Sequence, residues 1–353
     1  MTVDTYLYTF FWACLLVTSC QGQGDPAAAP KRVSEPPELL RLPPGEQIAQ
    51  YVRNIHQDSK GDFWIGTNGR GIAHYDGSSV QYYSVDQGFH GYQITGISED
   101  QDDNIWFATD QGIVMYDGVS THEDGSKKFT NYTEPHHLEG KRCWSVYADS
   151  KGHIWAGTAT GIYLFDGHVW TSFEVPYPEV ESGNFITAQT TWSITEDSDG
   201  HMWFSTNGHG AFKYDGTQFT QYDKEDGLTD DSVDQILEDS KGNIWFATRF
   251  GGVSKFDGKK FTNFTQANSI GNNEVCVIME DQEGDIWMSS EGYGVYKYDG
   301  IRFTNYGEDE GLKVRAVQTI FQDNERRLWA GGGGGLYRLE GDRFIHVSQN
   351  GPW

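Results

Sequence analysis

Seven residues, each five positions ahead of a recurring aspartate, break an otherwise regular pattern: Arg53, Thr95, Trp144, Trp192, Asp234, Cys276 and Gln318. Two positions before them stand Tyr51, Gln93, Arg142, Thr190, Ser232, Glu274 and Ala316. Gly-rich stretches further on add Arg70, His209, Arg249, Phe250 and Tyr293. Aromatic faces stack on flat polar molecules, guanidinium forks hold carboxylates, and carboxylates orient hydroxyl and amide groups. The candidate binding residues are therefore Arg53, Arg70, Arg142, Trp144, Trp192, His209, Asp234, Arg249, Tyr293 and Gln318. They suit a polar organic ligand such as a sugar or a peptide. The competing reading is that Trp144 and Trp192 only fill the interior of their own repeats.

Catalytic and metal patterns are sparse. No two of the eleven histidines stand four apart, and no cysteine–histidine cluster has the spacing of metal ligands, so neither a metal nor a cofactor is expected. The adjacent His136 and His137 read as solvated residues of a connection. Acidic stretches such as "DQDDN" and "DSDGH" fall in turns and lack the twelve-residue calcium loop. No G-x-S-x-G elbow occurs, and "GGGGG" at 331–335 precedes no Lys-Ser/Thr pair. No catalytic residue is assigned.

The elements that would position these side chains follow from self-similarity. Trp64, Trp106, Trp155, Trp203, Trp245, Trp287 and Trp329 each lie six residues after an aspartate: Asp58, Asp100, Asp149, Asp197, Asp239, Asp281 and Asp323. The spacing of Trp203, Trp245, Trp287 and Trp329 sets a period of 42 residues. Each copy reads as four strands. An apolar strand enters an Asp-x-x-Gly turn, a Trp-bearing strand follows, and after a Gly-rich loop two more strands flank an Asp-Gly or Glu-Gly turn. The predicted fold is all-β: a seven-bladed β-propeller of four-stranded antiparallel blades. The recurring tryptophans are then packing residues between blades, and the recurring aspartates are turn residues. The ring is closed by "ELLRL" at 38–42 or by "RFIHV" at 343–347. Two segments exceed the period, from Asp117 to Phe129 and from Trp170 to Asp197. The second, with "EVPYPEVESGNF", is expected to wall the site beside Trp192.

The phrase D-x-x-G-x-[IL]-W-[IFA]-[GA]-T…GG…[YF]-D-G resembles the two-component regulator propeller repeat, over about residues 45–348. That resemblance implies an extracytoplasmic sensor region of the kind that precedes a membrane helix and a histidine kinase. Only "SQNGPW" follows Val347, so the chain is expected to lack an output domain and to act through a ligand or a partner, such as an envelope protein or a separate sensor kinase. Two alternatives stand beside this reading. One is a lyase or glycosidase working at the funnel face, as in the seven-bladed streptogramin lyases, with His209 or a funnel carboxylate. The other is a structural scaffold in an envelope complex.

The ends and the charge set the surroundings. Residues 1–20 read as an export signal whose end, Leu16-Val17-Thr18-Ser19-Cys20, resembles a lipobox with Cys20 as the lipidated residue; a cleaved secreted protein is the alternative. Residues 21–37 read as a flexible tether, 38–348 as the propeller and 349–353 as a tail. The expected location is the bacterial envelope, in the periplasm or as an outer-membrane lipoprotein, with the lipid anchor as the only membrane contact. A net charge of −25 argues against nucleic acid and anionic lipid, and favours cations, basic proteins or neutral ligands. Cys143 and Cys276 fall in non-adjacent repeats and are expected to be two buried free thiols.

Overall fold

The computed structural model describes residues 46–121, 129–132, 138, 142–178, 187–314 and 316–353. The expected signal, Cys20, the tether, "ELLRL", His136 and His137 lie outside them, as do residues 122–128 and 179–186 of the two long segments.

Among the described residues, twenty-eight strands, β1 to β28 in chain order, form seven four-stranded antiparallel sheets. Each blade is built from one contiguous stretch, with its strands in sequence order. The fifth blade shows the pattern: β17 (Val233–Glu238), β18 (Ile244–Thr248), β19 (Gly252–Phe256) and β20 (Phe261–Phe264). The first strands of the blades are β1 (Val52–Gln57), β5 (Ile94–Glu99), β9 (Cys143–Ala148), β13 (Ile194–Glu196), β17, β21 (Ile278–Glu280) and β25 (Val317–Gln322). Each packs beside the first strand of the next blade, and β25 packs beside β1, so the seven encircle an axis. The fold is the propeller that the repeat predicts.

The spacing of aspartate and tryptophan has a single cause. In every blade the indole Nε1 of the tryptophan donates to the aspartate six residues earlier, at 2.6–2.8 Å. The other carboxylate oxygen accepts the amides two and four residues on, as Asp239 does from Lys241 and Asn243. One buried carboxylate thus closes the turn and satisfies an indole N–H that has no water to bond. The third residue after the aspartate takes a left-handed conformation. It is glycine in five blades, for instance Gly242 at φ 77°, but Asp103 in the second and Arg326 in the seventh, at φ 60° and 64°.

Seven apolar clusters fill the seven seams. Each holds one recurring tryptophan packed against the following blade: Trp245 meets Ile278, Ile286 and Met288, and Trp329 meets Val52, Phe63 and Ile65. The expected packing role of the tryptophans holds. A second device crosses most seams. The Glu or Gln just before an aspartate caps the turn of the preceding blade: Glu99 accepts from Ser59, Glu196 from Ser150, Glu238 from Ser198, Glu280 from Ser240 and Gln322 from Gln282. Gln57 of the first blade accepts from Asn324 of the seventh, so the same contact closes the ring.

Among the described residues, each blade keeps all four of its own strands. "RFIHV" is β28 (Arg343–Val347), the outer strand of the seventh blade, paired with β27 (Gly335–Glu340). The lead-in at 46–51 instead runs along that blade: Gln47 bridges Ser348, Tyr51 bridges Gly333, and Ile48 and Ala49 are buried in the seam. The tail joins the same cluster, with the Trp353 ring stacked 4.0 Å from Tyr75. Cys143 and Cys276 are not joined to each other; Cys143 is buried in a seam, whereas Cys276 is half-buried and lies among charged groups. The expectation of two buried thiols is corrected for Cys276, because its position is the one the blade turns toward the axis.

Candidate functional site

The seven irregular positions share a backbone cause. In five blades the first strand carries one extra residue in its pairing with the second: Arg53 between Val52 and Asn54, Thr95 between Ile94 and Gly96, Trp144 between Cys143 and Ser145, Asp234 between Val233 and Gln235, and Gln318 between Val317 and Thr319. Such a bulge kinks the strand and re-aims the unpaired side chain. In the fourth and sixth blades the regular strand starts later. There the hydroxyls of Ser205 and Ser289 accept the amides of Ser193 and Cys276, so that Trp192 and Cys276 stand where the others have their bulge. The framework thereby frees one residue per blade from ladder pairing.

Around the third to fifth blades these residues and their neighbours form a continuous arc. Asp234 binds Arg249 through two contacts, of 2.6 and 3.3 Å. The Arg249 guanidinium lies 4.5 Å from the centre of the Trp192 ring. Trp192 meets Trp144 with centroids 4.6 Å apart, and Arg142 covers Trp144 at 5.1 Å. Arg142 in turn donates to Gln93 Oε1 on the second blade. Asn207 ties the centre together, accepting from Arg249 at 3.3 Å and from Trp192 Nε1 at 3.4 Å. Trp144 is buried and Trp192 half-buried, yet neither belongs to a seam cluster. Trp144 packs against Trp192 and Arg142, and Trp192 against Arg249 and Asn207.

Electrostatics extend the site across the axis. Burial pushes the Asp234 carboxyl up to about 6; Arg249 and the Cys276 thiol pull against that, and Glu274 adds to it. Burial also raises the Cys276 thiol, with help from Asp234 and Glu274. Burial lowers Arg53, opposed only where Tyr51 and Cys276 lose their protons at high pH. Arg142 is lowered by burial, supported by the charge of Asp110, and feels the like charge of Arg53. Arg53 is on the first blade, Arg142 on the third and Cys276 on the sixth. Groups on blades that do not touch feel one another only where the ring converges.

Three of the remaining candidates go elsewhere. Arg70 lies over Tyr82 and reaches the Ile48 carbonyl at 3.5 Å, bracing the lead-in. Tyr293 packs its ring against Gly271, where a Cβ would meet it at 2.4 Å. His209 stands beside Tyr177, 6.1 Å between ring centres, and burial lowers its basicity. Val175 and Tyr177, in the described part of the long segment, pack in the seam between the third and fourth blades. Gln318 occupies the bulge of β25. Two exposed aromatics flank the arc residues in sequence: Tyr92 beside Gln93 and Phe250 beside Arg249, with relative exposures of 52% and 61%.

Asn207 and Glu291 escape the sequence reading, as does Cys276 in its axial setting. A second column holds the signal. The residue four after each tryptophan is Asn68, Asp110, Ala159, Asn207, Arg249, Glu291 and Gly333, as varied as the bulge column. The axial residues come from these two columns together with residues just before the first strands. Among the described residues, no group of three or more His, Cys, Asp or Glu is arranged to hold a metal ion.

Comparisons with known proteins agree on the architecture. Residues 47–69, 88–111, 185–208 and 227–250 match the family model described as two component regulator propeller. The extracellular domain of a putative hybrid two component system from B. thetaiotaomicron is similar at 24% identity and a TM-score of 0.69; the match covers 84% of this chain and 39% of that one. The chain thus spans about two-fifths of that structure. Catalytically inactive virginiamycin B lyase from Staphylococcus aureus, solved with quinupristin, is similar at 16% identity and a TM-score of 0.64, covering 84% of this chain and 96% of the lyase. YCF48 from Cyanidioschyzon merolae matches at 15% identity and a TM-score of 0.60, over 89% and 99% of the two chains. No curated protein matches the sequence. At these identities the likeness is one of fold, and function rests on the site.

Proposed function

We propose that the chain is an extracytoplasmic, sensor-like propeller that binds a polar organic ligand at its axis. The observation that carries this reading is the arc Arg142–Trp144–Trp192–Arg249–Asp234, built at positions where the repeat departs from itself and where no seam needs these side chains. Stacked indoles flanked by guanidinium groups offer flat apolar faces and fixed charges together, the combination that small-ligand sites use. The partial match to two component regulator propeller repeats and the likeness to an extracellular sensor domain support the location and the sensor role. Among the described residues no helix is long and apolar enough to cross a membrane. Attachment through Cys20 is part of the proposal.

Thermal unfolding of the protein against oligosaccharides and peptides tests the reading. A ligand present at about 100 times its dissociation constant adds about 2.7 kcal/mol to the folded state. The shift is expected in the wild type and lost in Trp192→Ala. A shift that survives in Trp192→Ala places binding elsewhere and refutes the axial site.

A further inference from the structure

We infer that the axial site takes a ligand bearing a carboxylate, and that Arg53 holds that group. The inference rests on the axial binding site proposed above and names the class of its ligand. The net charge of −25 by itself disfavours an anion. At physiological salt, however, charges more than about 8 Å away are largely screened, and the groups at the axis decide.

Arg53 stands apart from the other partly buried arginines. Arg249 pairs with Asp234, Arg327 with Asp323, Arg338 with Glu340, and Arg142 donates to Gln93. Arg53 is half-buried and makes no hydrogen bond or ion pair with any described residue. Its neighbours in electrostatic reach are Tyr51 and the Cys276 thiol, neither of them ionised at neutral pH. Arg142 is the second cation in reach. Half-buried and without a partner among the described residues, the Arg53 guanidinium is left open to an anionic group of a ligand.

The geometry adds an orientation. Arg53 is set by the bulge of β1 and Arg142 by the start of β9, so two cations stand on the first and third blades, with Asp110 of the second blade beside Arg142 and Arg53 left as the one without an acidic neighbour in its field. Glu274 and Glu291 act on Cys276 from the sixth blade. A carboxylate is drawn to the cations and away from the sixth blade. Beside the cations the Trp144–Trp192 pair offers its faces to the flat part of the same molecule. A guanidinium also matches a carboxylate in shape, with two parallel N–H donors.

The test uses matched acid and neutral probes on the whole chain by calorimetry: cellobiouronic acid against cellobiose, and N-acetylphenylalanine against its amide. The two pairs separate a sugar carboxylate from a peptide-type carboxylate. At least one acid is expected to bind roughly ten- to a hundredfold more tightly than its neutral partner, a difference that disappears in Arg53→Gln. Arg53→Lys keeps part of it. Equal binding of acid and neutral probe, lost in Trp192→Ala, overturns the carboxylate inference and leaves the axial site standing. Acid binding that survives both substitutions overturns both. No acid binding at concentrations on the order of 10 mM also overturns the inference. A second readout needs no ligand: Arg53→Gln is expected to melt at or above the wild-type temperature. A clearly lower melting temperature makes Arg53 a structural residue and refutes its assignment.

Discussion

Replacing Asp239 by alanine tests the bond on which the repeat is built. The carboxylate is 6% exposed and receives Trp245 Nε1 at 2.8 Å, the Lys241 amide at 3.0 Å and the Asn243 amide at 2.8 Å. Trp245 is 1% exposed, so its N–H finds no water once the acceptor is gone. An orphaned buried donor costs about 1–3 kcal/mol, and each turn amide, which water can reach, costs about 1 kcal/mol. The expected loss is about 4 kcal/mol. Unfolding entropy of about 2.1 cal/mol/K per residue over about 300 folded residues turns this into a fall of roughly 6 °C in melting temperature. Far-UV circular dichroism in urea and on heating measures both quantities. Trp245→Phe supplies the control. It leaves the same space in either background but removes the orphan, so it costs about 2 kcal/mol less beside Asp239→Ala than alone. A loss below about 1 kcal/mol for Asp239→Ala, or strict additivity in the cycle, refutes the account of the aspartate–tryptophan spacing.

Three further outcomes are expected. Arg326→Gly relieves a left-handed backbone at φ 64° and gains about 1 kcal/mol, read as a higher urea midpoint, at the loss of one exposed ion pair to Glu283. Gln57→Ala removes the contact to the Asn324 amide and costs about 1 kcal/mol, with faster hydrogen exchange in β1 and β25. Asp234 carries a pH signature. Its folded carboxyl titrates at about 6, above the ordinary 3.8, so the native state holds the extra proton between these values and loses stability as pH rises through them. Relative to Asp234→Asn, the wild type is expected to lose up to about 3 kcal/mol from pH 4 to pH 6, and a flat difference contradicts the burial of this carboxylate. Asp149, Asp197 and Asp239 are held low by hydrogen bonds that outweigh burial, so their contribution fades as pH falls below the ordinary carboxylate range; it is common to both proteins and cancels in the difference.

The sequence by itself determined the blade count, the strand order and the partners of each turn. These are local matters: an aspartate, a positive-φ residue and a tryptophan lie within six positions, and their bonds close within one hairpin. Even the seam contacts were written in the sequence, in the Glu or Gln before six of the seven recurring aspartates, although their role needs the neighbouring blade to be visible. The same comparison of repeats pointed to Arg53, Trp144, Trp192, Asp234 and Arg249 by their irregularity. What it left open was which irregular residues meet. Arg70, Tyr293 and His209 share the loop face and yet brace the lead-in, a glycine and a seam tyrosine. Asn207 acquires its setting from the next blade through Arg249, and Cys276 feels Arg53 from the far end of the chain. Closure of the ring decided this. A β-bulge turns one side chain out of its sheet whatever surrounds it, but only seven sheets arranged about one axis bring arginines of the first and third blades and a thiol of the sixth into a common field.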